Sequence, residues 1–311
     1  MPAVSVEHLA KSYEGAEAVK DVAFEVDEGE VFALLGPNGA GKTTIIEILE
    51  GFRKRDSGQV DVLGYDPADP ATSRELRERM GVVLQELAVE PFLSVRQALA
   101  RNAGYYPNPR SVDEVIQLVG LAEKADDRVK SLSGGQQRRL DLGLGIVGNP
   151  SLLFLDEPTT GFDPSARRGA WEVVRALTGG GTTVVLTTHY MDEAEALADR
   201  VAVINAGRIV AEGATESLGG RDVGESTIRF RIKAGATSSL PVPAKVLQNG
   251  VYEIKTDREI EVLAALTNWA LRENVDVVGL TVERLTLEDV YLRLTGFEPD
   301  AEAPSLGTGN T

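Results

Sequence analysis

Apolar and polar residues alternate along the first forty positions in the way that is typical of half-buried β-strands. The segments VSVEHLA and VAFEVDEGEVFALLG carry this alternation, and the apolar run directly before Gly36 predicts a fully buried strand. A helix is predicted at about 42–49, directly after a glycine-rich loop. A second, charged helix at 73–80 leads into the strand GVVLQ, which ends at Gln85.

Short apolar strands and amphipathic helices alternate beyond this point. Residues 93–120 predict two helices separated by PNPR, the second beginning after Ser111 with the capping-box sequence SVDE. SLLFLD and TTVVLTT predict strands, GAWEVVRALT and MDEAEALADR predict helices, and RVAVINAGRIVAEG predicts a hairpin that turns at Ala206-Gly207. This order favours an α/β fold with a mostly parallel sheet, antiparallel N-terminal strands and a helical subdomain at about 86–135.

The pattern changes after residue 220, where GGRDVGES is typical of a linker. STIRFRIKAG, VYEIKT and VDVVGLTVE predict strands, and EIEVLAALTNWALREN and LTLEDVYLRLTG predict helices. We therefore divide the chain into a domain at 1–220, a small α+β domain at 221–297 and a disordered tail at 298–311. In the first of these two helices, a stripe at helical spacing is predicted to pack on the domain's own strands: Ile260, Leu263, Leu266 and Ala270.

Composition and charge exclude several classes of function. The 311 residues include 32 Lys plus Arg and 48 Asp plus Glu, a net charge of −16, so no nucleic-acid partner is expected. The absence of cysteine excludes disulfides and thiolate metal sites, and two histidines, His8 and His189, cannot form an all-histidine metal site. Since no apolar stretch approaches the ~18 residues that span a membrane, and no signal segment is recognisable, we expect a cytoplasmic protein.

A glycine-rich segment after the buried strand predicts phosphate binding. GPNGAGKT at 36–43 fits GxxxxGK[ST], the Walker A pattern, between a strand and a helix. Lys42 would neutralise β- and γ-phosphates, and the Thr43 hydroxyl would ligate Mg²⁺. A simple strand-to-helix turn is the alternative. The expected nucleotide-binding residues of this loop are Gly36, Pro37, Asn38, Gly39, Ala40, Gly41, Lys42, Thr43 and Thr44.

Two further segments are interpreted together with the phosphate-binding loop. SLLFLD ends in Asp156, which would hold Mg²⁺, and the next residue, Glu157, would orient or deprotonate the attacking water. Taken alone, such a pair is more often a strand end that meets solvent, but with the loop it predicts phosphoryl transfer. LSGGQ at 132–136 precedes a helix, and taken alone it is a flexible turn with Ser133 as the helix N-cap.

The phosphate loop, Gln85, LSGGQ, LLFLDEP and His189, in this order and spacing, resemble the ATP-binding subunits of ABC transporters over about residues 4–217. The resemblance implies a P-loop NTPase core and a head-to-tail homodimer, with each ATP between the phosphate loop of one subunit and the LSGGQ segment of the other. It also implies that Gln85 contacts Mg²⁺ and the attacking water and that His189 contacts the γ-phosphate. The residues expected to act from the second subunit are Ser133, Gly134, Gly135 and Gln136.

The same resemblance assigns roles outside these motifs. Tyr13, in KSYEG, would stack on adenine, with surface packing as the alternative. Asp163 lies in TGFDP, which resembles the loop through which two subunits communicate, although Phe162 stands where leucine is usual. The Mg²⁺ ligands are expected to be Thr43, Gln85 and Asp156.

The implied function is Mg²⁺-dependent ATP hydrolysis by Lys42, Gln85, Glu157 and His189, which powers transport through a separate integral membrane permease at the inner face of the cell membrane. EPFLSVRQALARNAGYY and LTLEDVYLRLTG are similar to the drug- and antibiotic-export branch, the daunorubicin-resistance-like, ABC-2 type. One alternative is a soluble ABC-type ATPase that acts on ribosomes or DNA, against which the single motif set and the acidic charge argue. The other is a non-catalytic regulatory nucleotide binder, against which the intact motif residues argue.

Overall fold

The computed structural model describes residues 2–83, 89–221, 226–233, 239–247 and 250–295. Its internal contacts divide the chain into two units, Met1–Thr215 and Glu216–Thr311, and each is described by itself. The division at residue 220 stays a prediction. Gln85 and the tail at 298–311 lie outside the described residues.

The first unit alternates strands and helices for most of its length. Its elements, in chain order, are β1 (Val4–Tyr13), β2 (Ala16–Val26), β3 (Val31–Leu35), α1 (Lys42–Leu49), β4 (Ser57–Val62), α2 (Ser73–Arg79), β5 (Met80–Val83), α3 (Val95–Ala103), α4 (Val112–Leu118), α5 (Gly134–Ile146), β6 (Leu152–Asp156), α6 (Pro164–Gly179), β7 (Thr183–Thr188), α7 (Met191–Leu197), β8 (Arg200–Asn205) and β9 (Arg208–Ala214).

A six-stranded sheet organises this unit, with the strand order β5-β6-β7-β3-β8-β9. The first five strands in this order are parallel, and β9 pairs with β8 in the antiparallel direction. Every residue of β3, β6 and β7 is buried, as expected for parallel strands covered on both faces. The predicted hairpin turn is confirmed, because Ala206 and Gly207 both have positive φ, 47° and 82°.

A second, antiparallel sheet has the order β2-β1-β4 and contributes to the same core. Within this core the rings of Phe24 and Phe32 stack with centroids 5.1 Å apart. Between β5 and β6 in the chain, α3, α4 and α5 pack on one another. The predicted fold class, a mostly parallel sheet with antiparallel N-terminal strands and a helical subdomain, is therefore confirmed.

In its described residues, the second unit contains two α-helices and a four-stranded antiparallel sheet, whose spatial order is β11 (Lys245–Val246), β12 (Tyr252–Thr256), β10 (Ser226–Ile232) and β13 (Val277–Glu283). Leu266 and Trp269 of the first helix pack on the sheet, in a core shared with three buried strand residues, Ile228, Phe230 and Ile254. The elements are β10 (Ser226–Ile232), β11 (Lys245–Val246), β12 (Tyr252–Thr256), α8 (Glu259–Glu273), β13 (Val277–Glu283) and α9 (Leu287–Thr295).

Two local predictions are corrected by the structure. Ser111 makes no side-chain hydrogen bond that caps α4, and the Glu114 side chain, which would form the other half of the box, instead accepts a hydrogen bond from Arg110 at 3.3 Å. Ile260 is 77% exposed, so it does not belong to the stripe of α8 that packs on the strands. The sequence pattern also missed β4, β11 and the first turn of α6.

In the described part of the chain, no helix combines the length and the apolar character that a membrane crossing requires.

Candidate active site

Three neighbouring strands bring the predicted site residues to one edge of the large sheet. β6, β7 and β3 are adjacent and parallel, so their carboxyl ends lie at the same edge. Gly36 follows β3, Asp156 ends β6 and His189 follows β7. The carboxyl edge of an open parallel sheet is where ligands bind in folds of this type.

The loop between β3 and α1 requires glycine at two positions. Gly41 has φ 108°, and a Cβ there would lie 2.6 Å from the carbonyl oxygen of Ala18. A Cβ on Gly36 would lie 2.3 Å from the carbonyl oxygen of Ile204. Gly41 provides no side-chain cap, so the first N–H groups of α1 remain available to an anion.

Lys42 lies almost entirely inside the site, with 4% of its surface exposed. Its ammonium group donates hydrogen bonds to the carbonyl oxygens of Gly36 at 2.8 Å and Pro37 at 3.1 Å. The same Nζ lies 3.4 Å from Oε1 of Glu157. Burial lowers the pKa of Lys42, and the negative charge of Glu157 opposes that shift.

Glu157 is held in an uncommon backbone conformation at the end of β6. Its φ of 47° lies in the left-handed region, which a residue with a side chain adopts at an energetic cost. Its N–H donates to the carbonyl oxygen and the hydroxyl of Thr187 at 3.1 and 3.0 Å. Its Oε1 lies 3.3 Å from Nδ1 of His189, without hydrogen-bond alignment, and its Oε2 accepts from the Thr160 hydroxyl at 3.3 Å.

Asp156 and Thr43 place two hard oxygen donors side by side. The hydroxyl of Thr43 lies 3.5 Å from Oδ1 of Asp156, which also accepts a hydrogen bond from the Thr187 hydroxyl. Oxygen ligands of this kind fit Mg²⁺, which keeps several waters and binds substrate phosphates in addition to one or two protein groups. In the described residues, no cluster of three or more His, Asp or Glu side chains could hold a metal ion.

A second buried carboxyl lies near Asp156. Glu50, which follows α1, is buried, and this burial together with the charges of Asp156 and Glu47 raises its pKa to about 8. This shift favours the protonated, uncharged form of the Glu50 carboxyl beside Asp156.

Sequence reasoning missed two residues that hold the acidic strand end in place. Thr187 contacts Asp156 and Glu157 as described above. Arg138, on α5, donates to the carbonyl oxygens of Pro158 and Glu157 at 3.1 and 3.3 Å and pairs with Asp141 at 2.7 Å. The sequence signal for Arg138 is the Arg-Asp pair three residues apart, which is common on helix surfaces and therefore weak.

The cleft beside the phosphate loop is formed by the loop, the start of α1 and Glu157. Tyr13, the LSGGQ residues and Asp163 do not contribute to its described lining. The lining residues are Ala18, Asn38, Gly39, Gly41, Lys42, Thr43, Thr44 and Glu157.

Tyr13 and Asp163 make other contacts. The Tyr13 ring lies 5.0 Å from the guanidinium of Arg53 and 5.6 Å from the ammonium of Lys11. Asp163 accepts a hydrogen bond from the N–H of Ala166 at 2.9 Å, which caps the first turn of α6. Both side chains therefore make contacts that stabilise the fold. The predicted stacking of Tyr13 on adenine and the predicted role of Asp163 between subunits stay predictions.

LSGGQ forms the start of α5. The hydroxyl of Ser133 accepts from the N–H of Gln136 at 3.3 Å, and the Gln136 side chain accepts from the N–H of Ser133 at 2.9 Å, which completes a capping box. A Cβ built on Gly134 meets nothing within 4 Å. The packing of this chain therefore does not explain the glycine at 134.

Comparisons with known proteins agree with this geometry. The ABC transporter family model matches residues 19–160. The daunorubicin resistance ATP-binding protein DrrA3 of Streptomyces coeruleorubidus is 34% identical over 308 residues, which cover 94% of this chain and 96% of the relative. The Nod factor export ATP-binding protein I of Burkholderia thailandensis is 38% identical over 306 residues, which cover 95% of this chain and 97% of the relative.

Among solved structures, CbiO1 from Clostridium perfringens, part of the ABC transporter complex CbiONQ, superimposes with a TM-score of 0.63 and 28% identity. The match covers 69% of this chain and 89% of that structure. The family assignment rests on three observations. They are the fold, the relatives that match nearly the full length of the chain, and the cluster formed by Lys42, Asp156, Glu157 and His189. The chain belongs to the ABC transporter family.

Proposed function

We propose that this chain is the Mg²⁺-dependent, ATP-hydrolysing subunit that powers export of a drug-like or other amphipathic substrate through a separate membrane permease. The observation that carries the proposal is the meeting of Lys42, Glu157 and His189 within 3.4 Å contacts beside the phosphate loop. Relatives named for daunorubicin resistance and for Nod factor export support the direction of transport. The chain would be peripheral at the inner face of the membrane, bound to its permease.

In the proposed reaction, water attacks the γ-phosphorus of ATP, the bond to the β–γ bridging oxygen breaks, and ADP leaves. Glu157 accepts the proton of the attacking water, and Lys42 exchanges its contacts with Gly36 and Pro37 for phosphate oxygens. His189, 3.3 Å from Glu157, would contact the same water and the γ-phosphate. Thr43 and Asp156 would hold Mg²⁺, with Gln85 as the third predicted ligand; the bound ion neutralises phosphate charge.

The proposed active form is a head-to-tail homodimer. LSGGQ contributes nothing to the described lining of the cleft, yet it presents a helix N-terminus and an open position at Gly134. Both features suit a γ-phosphate bound to a second subunit. Tyr13 is proposed to stack on adenine, and Asp163 to act at the contact between subunits. Because the chain is strongly acidic, we propose no nucleic-acid partner.

Mixing two inactive variants tests this arrangement. Lys42→Ala removes the phosphate-loop cation, and Ser133→Arg fills the space in front of α5, so neither variant alone forms a complete composite site. A heterodimer of the two contains one intact site, and an equal mixture should recover about a quarter of the wild-type turnover if subunits pair at random. Mg²⁺-dependent phosphate release measures the recovery. If affinity-tagged subunits copurify and activity stays at the level of the separate variants, the head-to-tail site is refuted.

A further inference from the structure

Helix α8 of the second unit carries an exposed stripe of two large apolar residues and two small residues, and this stripe does not pack on its own domain. Ile260 is 77% exposed and Leu271 is 81% exposed, and both are large apolar residues. Ala264 and Thr267, between them, are also exposed. The spacing of four, three and four residues places all four side chains on one face, and Leu266 and Trp269 pack on the sheet from a different face.

The stripe is symmetric about its own centre. Its order is large, small, small, large: Ile260, Ala264, Thr267, Leu271. When two such helices pair in opposite directions about a two-fold axis, Ile260 lies against the partner's Leu271. Ala264 then lies against the partner's Thr267, and these small side chains let the helix axes approach to about 8–10 Å. A surface that complements a second copy of itself is the requirement for a two-fold interface.

The charges beside the stripe select the antiparallel direction. Each helical residue advances about 100°, so Glu261 and Arg272 lie roughly 20° apart on the same flank of the stripe. Antiparallel pairing places Glu261 beside the partner's Arg272 at both ends of the contact. Parallel pairing would lose this contact, since it would place Glu261 beside the partner's Glu259, whose carboxylate already pairs with Arg284 at 2.6 Å within its own chain. Glu261 already pairs with Arg258 at 3.5 Å in an exposed position, so its charge faces solvent beside the stripe.

We propose that α8 binds α8 of a second copy of this chain, antiparallel and about a two-fold axis. A helix of 15 residues is about 22 Å long, and one helix pair buries less than the ~1,200–2,000 Å² of a stable standard interface. The contact alone is therefore weak and reversible, and it adds to any other contact between two copies because tethering raises their effective concentration. It does not depend on the nucleotide site.

Cysteine cross-linking of the full chain tests the contact, since the natural sequence contains no cysteine. In the antiparallel pair, Ala264 and the partner's Ala264 are offset by only about 4.5 Å along the axis, so Ala264→Cys should form a covalent dimer under mild oxidation without nucleotide. Ile260 and the partner's Ile260 are about 16 Å apart along the axis, so Ile260→Cys alone should stay monomeric. A mixture of Ile260→Cys and Leu271→Cys chains should form the covalent heterodimer. Lys255→Cys, an exposed position on β12, is the matched control and should stay monomeric.

Adding Leu271→Asp to the Ala264→Cys chain should lower the cross-linked fraction at least ~5-fold, because two carboxylates then enter the apolar contact. Lys245→Asp, an exposed change on β11, should leave it unchanged, and circular dichroism verifies that both proteins are folded. No covalent dimer from Ala264→Cys, or a covalent dimer from Ile260→Cys alone, overturns the proposal. The proposal is also overturned if Leu271→Asp and Lys245→Asp lower the cross-linked fraction equally. Because no nucleotide is present, the outcome is independent of the proposed ATP hydrolysis.

Discussion

At the scale of single residues, hydrogen bonds between neighbouring strands hold the acidic end of β6, because Thr187 of β7 contacts both Asp156 and Glu157. Motifs in the sequence indicate Asp156, Glu157 and His189, but the strand order β6-β7-β3, which brings their strand ends together, is a long-range property that no local pattern shows. Sequence reasoning misses Thr187 and Arg138 because a threonine in a strand carries no local signal and the Arg138-Asp141 pair on a helix carries only a weak one. Gln85 stays a prediction, since it lies outside the described residues.

The role of Glu157 gives a prediction at this scale. Glu157→Gln keeps the size of the side chain and its neighbours Lys42 and His189, but an amide accepts no proton from water. Turnover should therefore fall by about 10²–10⁴-fold, while the affinity for ATP stays close to that of the wild type. Phosphate release and a nucleotide titration measure the two quantities. Glu47→Gln, which removes the carboxylate that pairs with Arg53, is the control variant. If Glu157→Gln hydrolyses ATP within a few-fold of the wild-type rate, Glu157 does not have its assigned role.

At the scale of elements, long periodic segments are predicted correctly, and the errors lie where the hydrophobic pattern is short or ambiguous. β4 has only two buried valines in an otherwise polar strand, so its alternation is short, and β11 has two residues. Asp163 starts α6 before the apolar pattern begins, which hides the first turn. Ile260 fits the helical period of the core stripe, but period alone cannot distinguish a face that packs internally from one that meets solvent.

Three helices begin with a serine followed three residues later by Gln or Glu, and only two of them form the box. Ser94 accepts from the N–H of Gln97 at 3.2 Å, whereas Ser111 makes no such bond. Ser94→Ala should therefore lower the free energy of unfolding by about 1 kcal/mol, and Ser111→Ala by less than about 0.5 kcal/mol. Urea denaturation followed by far-UV circular dichroism measures the difference between the variants. Equal losses would show that the two helix starts are held in the same way in solution.

At the scale of the whole molecule, the predicted chemistry belongs to one unit and the predicted self-association to the other. All candidate residues for ATP binding and hydrolysis, of which Tyr13 is the first and His189 the last, precede Thr215, where the first unit ends. The α8 stripe lies in the second unit. This separation could be anticipated from sequence because the motifs and the change in strand pattern fall on opposite sides of residue 220. The α8 stripe could not, since its exposure depends on how the second sheet is covered.

The same separation predicts the outcome of truncation. A chain of residues 1–220 keeps the phosphate loop, the acidic strand end and the buried sheet that positions them, so its Mg²⁺-dependent affinity for ATP should stay within about twofold of that of the full chain. Titration with a fluorescent ATP analogue, with EDTA as the control, measures the affinity. Its nucleotide-dependent dimer should be weaker than that of the full chain in sedimentation velocity, because the second unit and α8 are gone. If the truncated chain is folded by circular dichroism and yet loses nucleotide binding, residues beyond 220 contribute to the ATP site and the division of labour between the two units is wrong.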